Sequence, residues 1–550
     1  MAIYTIGVDF GSLSCRAVLV DTANGRECAV ATSSYRHGVM DSVLAASGKP
    51  LPAHFVLQDP ADYLASLAEV IPTVLQKAGV DAAEVVGVGV DFTCCTLLAL
   101  DESGMPLCFD ERFADNPYAY VRMWKDHSAD LYAQRLNAVA QRRGEKWLAL
   151  CGGAMSAAFA YPKMYQTAVE APEVFRAAHS FMEAGDFITW QLTGVPTRGY
   201  LFAAFKSQYE KGVGYPARAY FAEVDACLAD VLNKLPYEVL ATGSLAGRVS
   251  EAAAARFGLA PGTVVAVAGP DGHSAASALG LQKSGDAFGI FGTSAPFFLQ
   301  SDKHREVLGI SGTCADGVLP GFWGYEAGLC CFGDHFAYAA EHYATEECRA
   351  EAAARGISLI QLLTERAARK APGQSGLLAL DWFGGNRNLL GDPQLSGLFV
   401  GMTLHTAPED YLRALFEATA FATRVIFEAF AAADVPIKAL AASGGIARKN
   451  PFLMQLFADV LDLPISVAST EQAGALGSAI CAAVAAGVYA DMAAAIEKMA
   501  DKPDRVYLPH AQNRAVYDEL YAEYKRLHDY FGCGENNVMK TLRRLAVAKE

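Results

Sequence analysis

The sequence lacks several features that would assign it quickly. It has no run of about 18 apolar residues, so nothing in it reads as a membrane span. It has no long basic run, and positive charge is in the minority, with 45 lysines and arginines against 60 acids and a net charge of -15. That balance argues against broad nucleic-acid or anionic-membrane binding. A phosphate ligand would then be held locally, by backbone amides, a few cations and a metal ion. There is no Gly-x-x-x-x-Gly-Lys-[Ser/Thr] loop, no His-Glu-x-x-His and no Gly-x-Ser-x-Gly. These absences remove the P-loop proteins, the zinc peptidases and the serine hydrolases built on a nucleophile elbow. No charged leader with a clean apolar stretch opens the chain, because Asp9 interrupts the first apolar run, so a cytoplasmic protein is expected.

The 550 residues are 52% hydrophobic and 19% charged, which is the composition of globular protein with ample core. That length favours two to four domains, most simply two large ones. The 13 cysteines contain no Cys-x-x-Cys pair, but two pairs are adjacent, Cys94-Cys95 and Cys330-Cys331. Neighbouring cysteines rarely bridge each other, so reduced, mostly buried thiols are expected.

Strand patterns alternate with helical ones, which means an α/β fold. Tyr4, Ile6, Val8 and Phe10 alternate with Thr5, Gly7 and Asp9, and Ala17 to Val20 reads as a returning strand. Buried strands are expected within 85–104, 262–277, 285–300 and 437–451. Pro408 to Phe430 has proline and acids in its first turn and apolar residues three and four apart, the pattern of a helix. Asn450-Pro451 reads as an N-cap followed by proline at the first helical position. A further small, apolar segment runs from Glu471 to Val488. The tail from Asp501 is charged and is expected to be helical.

The opening stretch, Gly7-Val8-Asp9-Phe10-Gly11-Ser12-Leu13-Ser14-Cys15-Arg16, taken alone is an ordinary hairpin. Its form recurs roughly 280 residues later as Gly289-Ile290-Phe291-Gly292-Thr293-Ser294. Successive backbone amides in such turns make anion-binding nests. The hydroxyls of Ser12, Ser14, Thr293 and Ser294 could add donors, and Arg16 could add charge. A third turn, Ser443-Gly444-Gly445, ends a strand before Asn450, where backbone could lie flat against an adenine or ribose. Together the three turns favour a nucleotide. Asp271, in Ala-Gly-Pro-Asp-Gly-His, follows an apolar strand and could be a general base or a turn acid capping the next helix. Asp91 and Glu326 have the same setting. These acids with Asp9 suit a polyol and Mg²⁺, which takes one or two carboxylates and keeps several waters. Trp124, Lys125 and Lys206 are candidate polar contacts.

The set of motifs resembles the FGGY carbohydrate kinases, and within them the branch that acts on L-ribulose. The carriers are GVDFGSLSCRAVLVD, GVDFTCCTLLALDESGMPLC, NPYAYVRMWKDH, GYEAGLCCFGD, SGLLALDWFGGNR, LFEATAFATRVI and SGGIARKNPFLMQLFADVL. The resemblance implies two ribonuclease-H-like domains of the actin and hexokinase ATPase type around a cleft. Residues 1–280 would bind the sugar, 281–500 would bind ATP, and 501–550 would form a helical tail packed on the kinase. It implies transfer of the γ-phosphoryl group of MgATP to the terminal hydroxyl of L-ribulose. Asp271 falls on the catalytic aspartate. Lys206, Glu326 and the backbone at Cys94 and Cys95 fall on pentulose contacts, beside Trp124 and Lys125. Gly11, Ser12, Ser14, Arg16, Gly292, Thr293, Ser294, Gly444, Gly445 and Asn450 form the ATP side. Asp9 and Asp271 would hold Mg²⁺, through water.

The partners implied are ATP and a small pentulose, with no nucleic acid and no membrane, and a homodimer is left open. The chain departs from the family pattern near the sugar, at Ser156-Ala157-Ala158-Phe159, at Leu329-Cys330 and at Ala203-Ala204-Phe205. Another pentulose or pentitol (D-ribulose, D-xylulose, ribitol) is therefore the alternative substrate. The alternative from another class is an actin-like ATPase or sugar sensor, for which a base at Asp271 would be dispensable.

Overall fold

The computed structural model describes residues 3–547. The chain divides into two compact units. The first takes residues 1–282, 313–324 and 472–501, and the second takes 283–312, 325–471 and 502–550.

The first unit is organised by a mixed sheet. Six of its strands run in the order Leu245–Arg248, Val264–Ala266, Val85–Phe92, Tyr4–Phe10, Ser14–Asp21 and Arg26–Ser34. Tyr4–Phe10 pairs antiparallel with Ser14–Asp21 and parallel with Val85–Phe92, so the expected hairpin is there and its first strand is central. Strand alternation sends successive side chains to opposite faces. One face carries Ile6, Val8 and Phe10 into a core with Leu67, Ile71 and Val74 of the Pro60–Ala78 helix. Phe10 and Phe92 stack there at 5.0 Å between ring centres, with Tyr63 edge-on to both.

The opposite face carries Gly7, Gly87 and Gly89, and over it lies the Ala473–Ala485 helix. A Cβ on Gly7 would stand 1.7 Å from the carbonyl oxygen of Ala475, and one on Gly89 would stand 1.9 Å from that of Ser478. On the helix, Gly477 meets its neighbour the same way, since a Cβ there would lie 1.8 Å from the Ser274 carbonyl of the Asp271–Ala278 helix. Only glycine permits backbone to approach backbone this closely.

In the second unit the sheet order includes Trp323–Leu329, Ala295–Ser301, Asp286–Ile290, Ala439–Ser443, Ile465–Val467 and Arg505–Tyr507. Asp286–Ile290 pairs antiparallel with Ala295–Ser301 and parallel with Ala439–Ser443, which repeats the arrangement of the first unit. The expected helix runs Pro408–Ala432 and buries an Arg413–Glu417 ion pair at 2.6 Å, with Arg413 also donating to the Tyr517 hydroxyl. The tail begins with a strand, Arg505–Tyr507, before its helices Ala511–Gly532 and Val538–Val547. No helix among the described residues is long and apolar enough to cross a membrane.

Candidate functional site

The strand register gathers acids in the first unit. Asp9 and Asp91 are partners on adjacent parallel strands, two residues beyond the glycine partners Gly7 and Gly89. Gly269 pairs with Asp91 on its other side, and Asp271 follows two residues later as the first residue of the Asp271–Ala278 helix. Three acids thus stand at the C-terminal ends of neighbouring parallel strands, where α/β sheets commonly present ligands.

The glycines below them let the Ala473–Ala485 helix lie flush, which brings its first turn over the carboxylates. A Cβ on Gly474 would come within 3.1 Å of the Asp91 Oδ1 and 3.6 Å of the Asp9 carboxyl carbon. The positive end of that helix therefore faces the pair. Ser478 donates to the Asp91 Oδ2 at 2.6 Å, and the buried Asp91 Oδ1 has no donor among the described residues. Burial pushes both carboxyls up, and for Asp91 the nearby charges of Asp9 and Asp271 add to the rise. The Arg16 guanidinium, 3.2 Å from Asp9, opposes the rise at Asp9. Asp91 is accordingly the more strongly raised of the two. Asp271 is half-buried, and its Oδ1 accepts from the Gly272 amide at 2.7 Å.

The first turn closes with Gly11 donating to the Ser14 carbonyl at 3.0 Å. Ser12 accepts from the Trp124 Nε1 at 3.1 Å, and its carbonyl accepts from Gln58. Trp124, expected on the sugar side, is thus tied to the hydroxyl turn. Lys125 is exposed, with its ammonium 5.0 Å from the Trp124 ring centre.

Cys94 and Cys95 form the turn between Val85–Phe92 and Leu97–Leu100, with Cys95 at a left-handed φ of 58°. This turn is held from below. The fully buried Lys163 donates to the carbonyls of Cys95 at 2.6 Å, Met123 at 2.9 Å and Arg122 at 3.1 Å. Glu183 accepts from the Thr96 amide at 3.0 Å, and burial pushes its carboxyl to about 7 against the pull of Lys163 and Lys206. Lys206, on the Tyr200–Ser207 helix, is buried with its ammonium 5.4 Å from the ring centre of Phe159. Two departures from the family pattern, Phe159 and Phe205, therefore line this lysine. Glu326 lies elsewhere, half-buried on the Trp323–Leu329 strand of the second unit.

The second unit repeats the hydroxyl turn. Gly292 donates to the Ser294 carbonyl at 3.1 Å, and Thr293 is exposed between them. The Ala439–Ser443 strand runs alongside and ends at Gly444, whose φ of 96° and close approach to the Phe291 carbonyl both require glycine. Asn450 caps the Pro451–Leu461 helix by accepting from Leu453 at 3.0 Å, as its place before proline predicts.

Gly11, Gly292 and Gly445 are different. None has a left-handed φ, and a Cβ on any of them meets no atom closer than 3.5 Å. Nothing among the described residues demands glycine at these three turns.

Lys163, Glu183 and the cover supplied by the Ala473–Ala485 helix are absent from the sequence reading. A lysine inside Ala-Tyr-Pro-Lys-Met-Tyr-Gln is the one signal that could have pointed to Lys163.

Residues 4–280 match the N-terminal domain of the FGGY family of carbohydrate kinases, and residues 287–486 match its C-terminal domain. The chain belongs to the FGGY family of carbohydrate kinases. A ribulokinase of Bacillus licheniformis is 44% identical over 538 residues, covering 97% of this chain and 97% of its own. A ribulokinase of Shouchella clausii is 44% identical over 547 residues and 98% of each chain. The crystal structure of xylulose kinase from Rhodospirillum rubrum superposes with a TM-score of 0.76 at 24% identity, covering 96% of this chain and 98% of that one. The FGGY fold, two α/β domains of the actin and hexokinase ATPase type, is the one expected from the sequence. The protein is a sugar kinase, a phosphotransferase.

Proposed function

We propose that this FGGY kinase transfers the γ-phosphoryl group of MgATP to the terminal hydroxyl of L-ribulose, giving L-ribulose 5-phosphate. The observation that carries the reading is the placement of Asp271, half-buried at a strand end beside Asp91 and Asp9, in a chain similar over nearly its whole length to ribulokinases. Lys206, Trp124, Lys125, Glu326 and the Cys94-Cys95 backbone would hold the sugar. Gly11, Ser12, Ser14, Arg16, Gly292, Thr293, Ser294, Gly444, Gly445 and Asn450 would serve the nucleotide. The unforced glycines support this, because a side chain absent without internal reason leaves backbone amides open to an anion.

Phosphoryl transfer needs positioning and charge stabilisation more than covalent help. Asp271 would orient the sugar hydroxyl and accept its proton late, since an alcohol is far less acidic than a carboxylic acid. Asp9 and Asp271 would hold Mg²⁺ through water, and an all-oxygen donor set of carboxylates fits a hard cation. When bound, the ion supplies neutralisation of the charge on the transferring group. The Arg16 guanidinium, 3.2 Å from Asp9, would favour its charged form.

A coupled ADP-release assay with MgATP across pentuloses and pentitols tests the reading. L-Ribulose is expected to give the highest kcat/KM. A clear preference for D-ribulose, D-xylulose or ribitol would reject the substrate while leaving the family in place. Asp271→Asn is expected to lower turnover by about 10²-fold or more, the range for loss of a general base, with ATP binding retained in a direct titration.

A further inference from the structure

Phosphoryl transfer leaves the thiols of the two adjacent cysteine pairs without a task, and the structure treats the pairs differently. At Cys330-Cys331 the Cys330 thiol donates to the carbonyls of Gly384 at 3.2 Å and Gly385 at 3.0 Å. Burial pushes both thiols up, Cys331 to about 12. Each sulfur of that pair is kept as a thiol and turned toward the protein.

At Cys94-Cys95 the sulfurs hydrogen-bond each other. Cys94 is half-exposed and Cys95 is buried behind it, so solvent reaches the pair through Cys94. The ammonium groups of Lys206 and Lys163 both act on Cys95. The hydrogen bond from Cys94, followed by these cations, draws the Cys95 thiol below its ordinary range despite its burial. The backbone holding the two sulfurs together is fixed by the Lys163 bond to the Cys95 carbonyl and the Glu183 bond to the Thr96 amide. Elsewhere, burial pushes the thiols of Cys151 and Cys481 up to about 12.

We propose that Cys94 and Cys95 form a dithiol site that chelates a soft thiophilic centre of the trivalent-arsenic class, and that its occupancy blocks the sugar side of the first unit. The chemistry balances without an oxidant. An arsenous oxide, R–As=O, forms one As–S bond to each sulfur. Its As–O bonds break, and the oxygen leaves as water with the two thiol protons. Arsenic remains trivalent and both sulfurs keep their oxidation state. Entry is at the half-exposed Cys94, and closure onto Cys95 is favoured because a sulfur that ionises readily is the better nucleophile. The chelate would stand on the turn whose backbone is read above as a pentulose contact. The activity part rests on that reading, whereas the labelling part does not.

The test uses the full-length protein and phenylarsine oxide at one equivalent, read by intact mass and peptide mapping beside kinase turnover. One adduct is expected on the peptide bearing Cys94 and Cys95. It should be lost in Cys94→Ser, kept in Cys330→Ser, and removed by 2,3-dimercaptopropanol but not by an equal concentration of a monothiol. A saturating pentulose should slow labelling several-fold, and turnover should fall in step with the adduct. An adduct mapping to Cys330-Cys331, Cys227 or Cys533, or none on the native chain, would overturn the dithiol site. An adduct at Cys94-Cys95 with turnover unchanged would overturn the blocking of the sugar side alone. Because the adduct is read by mass, it is scored even if the pentulose assignment fails.

Discussion

At the scale of single residues, Lys163 carries more of the proposed sugar side than its position in the sequence suggests. Its ammonium spends its hydrogen bonds on three backbone carbonyls, two of them in the segment leading to Trp124 and one at Cys95. It is a positioning residue, because it acts on the turn through backbone carbonyls. Lys163→Met removes a charged donor from three buried carbonyls, of which Met123 keeps the Asp126 amide, and a cost of about 2 kcal/mol is expected in urea unfolding. The same variant should raise the KM for the sugar about tenfold, the effect of losing roughly 1.4 kcal/mol of placement, with the KM for ATP unmoved. An unchanged sugar KM would show that the clamp is only structural. This residue was not legible beforehand. A lysine on a helix is ordinarily solvated, and the carbonyls it serves lie 40, 41 and 68 positions earlier in the chain. Asp9, Asp91 and Asp271 were legible, because each ends an apolar strand beside glycine, and that local pattern needs no partner to be recognised.

At the scale of elements, glycines sort into two kinds. Gly7, Gly89 and Gly477 are demanded by the Ala473–Ala485 helix and its neighbours, whereas Gly11, Gly292 and Gly445 are demanded by nothing among the described residues. The two kinds should respond oppositely to alanine. Gly89→Ala would drive a methyl to within 1.9 Å of the Ser478 carbonyl, so the helix must lift from the sheet. A loss of about 3 kcal/mol or outright failure to fold is expected, as for overpacked cores, and a thermal melt reads it. Gly445→Ala has open space and replaces a helical glycine, so the melting temperature should hold or rise, since alanine favours a helix by about 1 kcal/mol. Nucleotide affinity should nevertheless fall in a direct binding titration. If Gly445→Ala binds ATP as well as the parent, the turn is not a nucleotide contact. The hairpins and the capped helices were readable from alternation, proline and Asn450, which are local signals. What covers the Gly7, Gly87 and Gly89 face was not, because the 471–488 segment announces a small apolar helix without naming its partner. The Arg505–Tyr507 strand was hidden for a similar reason, being three residues long and paired with the distant Ile465–Val467.

At the scale of the whole molecule, several carboxyls are buried far from any carboxylate's comfort. Burial pushes Asp381 and Glu183 to about 7 and Asp186 to about 8. Each sits above its value in the unfolded chain, so the folded state binds the extra proton. The resulting stability is complete at low pH and is lost as pH rises through the folded values, between about pH 4 and 8. Asp381, which accepts from the Tyr524 hydroxyl of the Ala511–Gly532 helix at 3.1 Å, isolates the effect. The rise from the ordinary 3.8 to about 7 corresponds to about 4 kcal/mol at most. Asp381→Asn should match the parent in urea unfolding near pH 4 and exceed it by up to that amount near pH 8. A difference that stays flat across this range would remove Asp381 as the source. The chain path has a consequence for biosynthesis. The first unit includes residues 1–282, yet the helix that seals its glycine face begins at Ala473. On the ribosome, at about 5–20 residues per second, some 190 further residues take roughly 10–40 s to emerge. For that interval the nascent sheet waits with Gly7, Gly87 and Gly89 uncovered. The protein is thus one whose N-terminal half cannot finish folding ahead of its C-terminal half, and a fragment ending at 282 should need a peptide spanning 472–501, supplied in trans, to become protease-resistant.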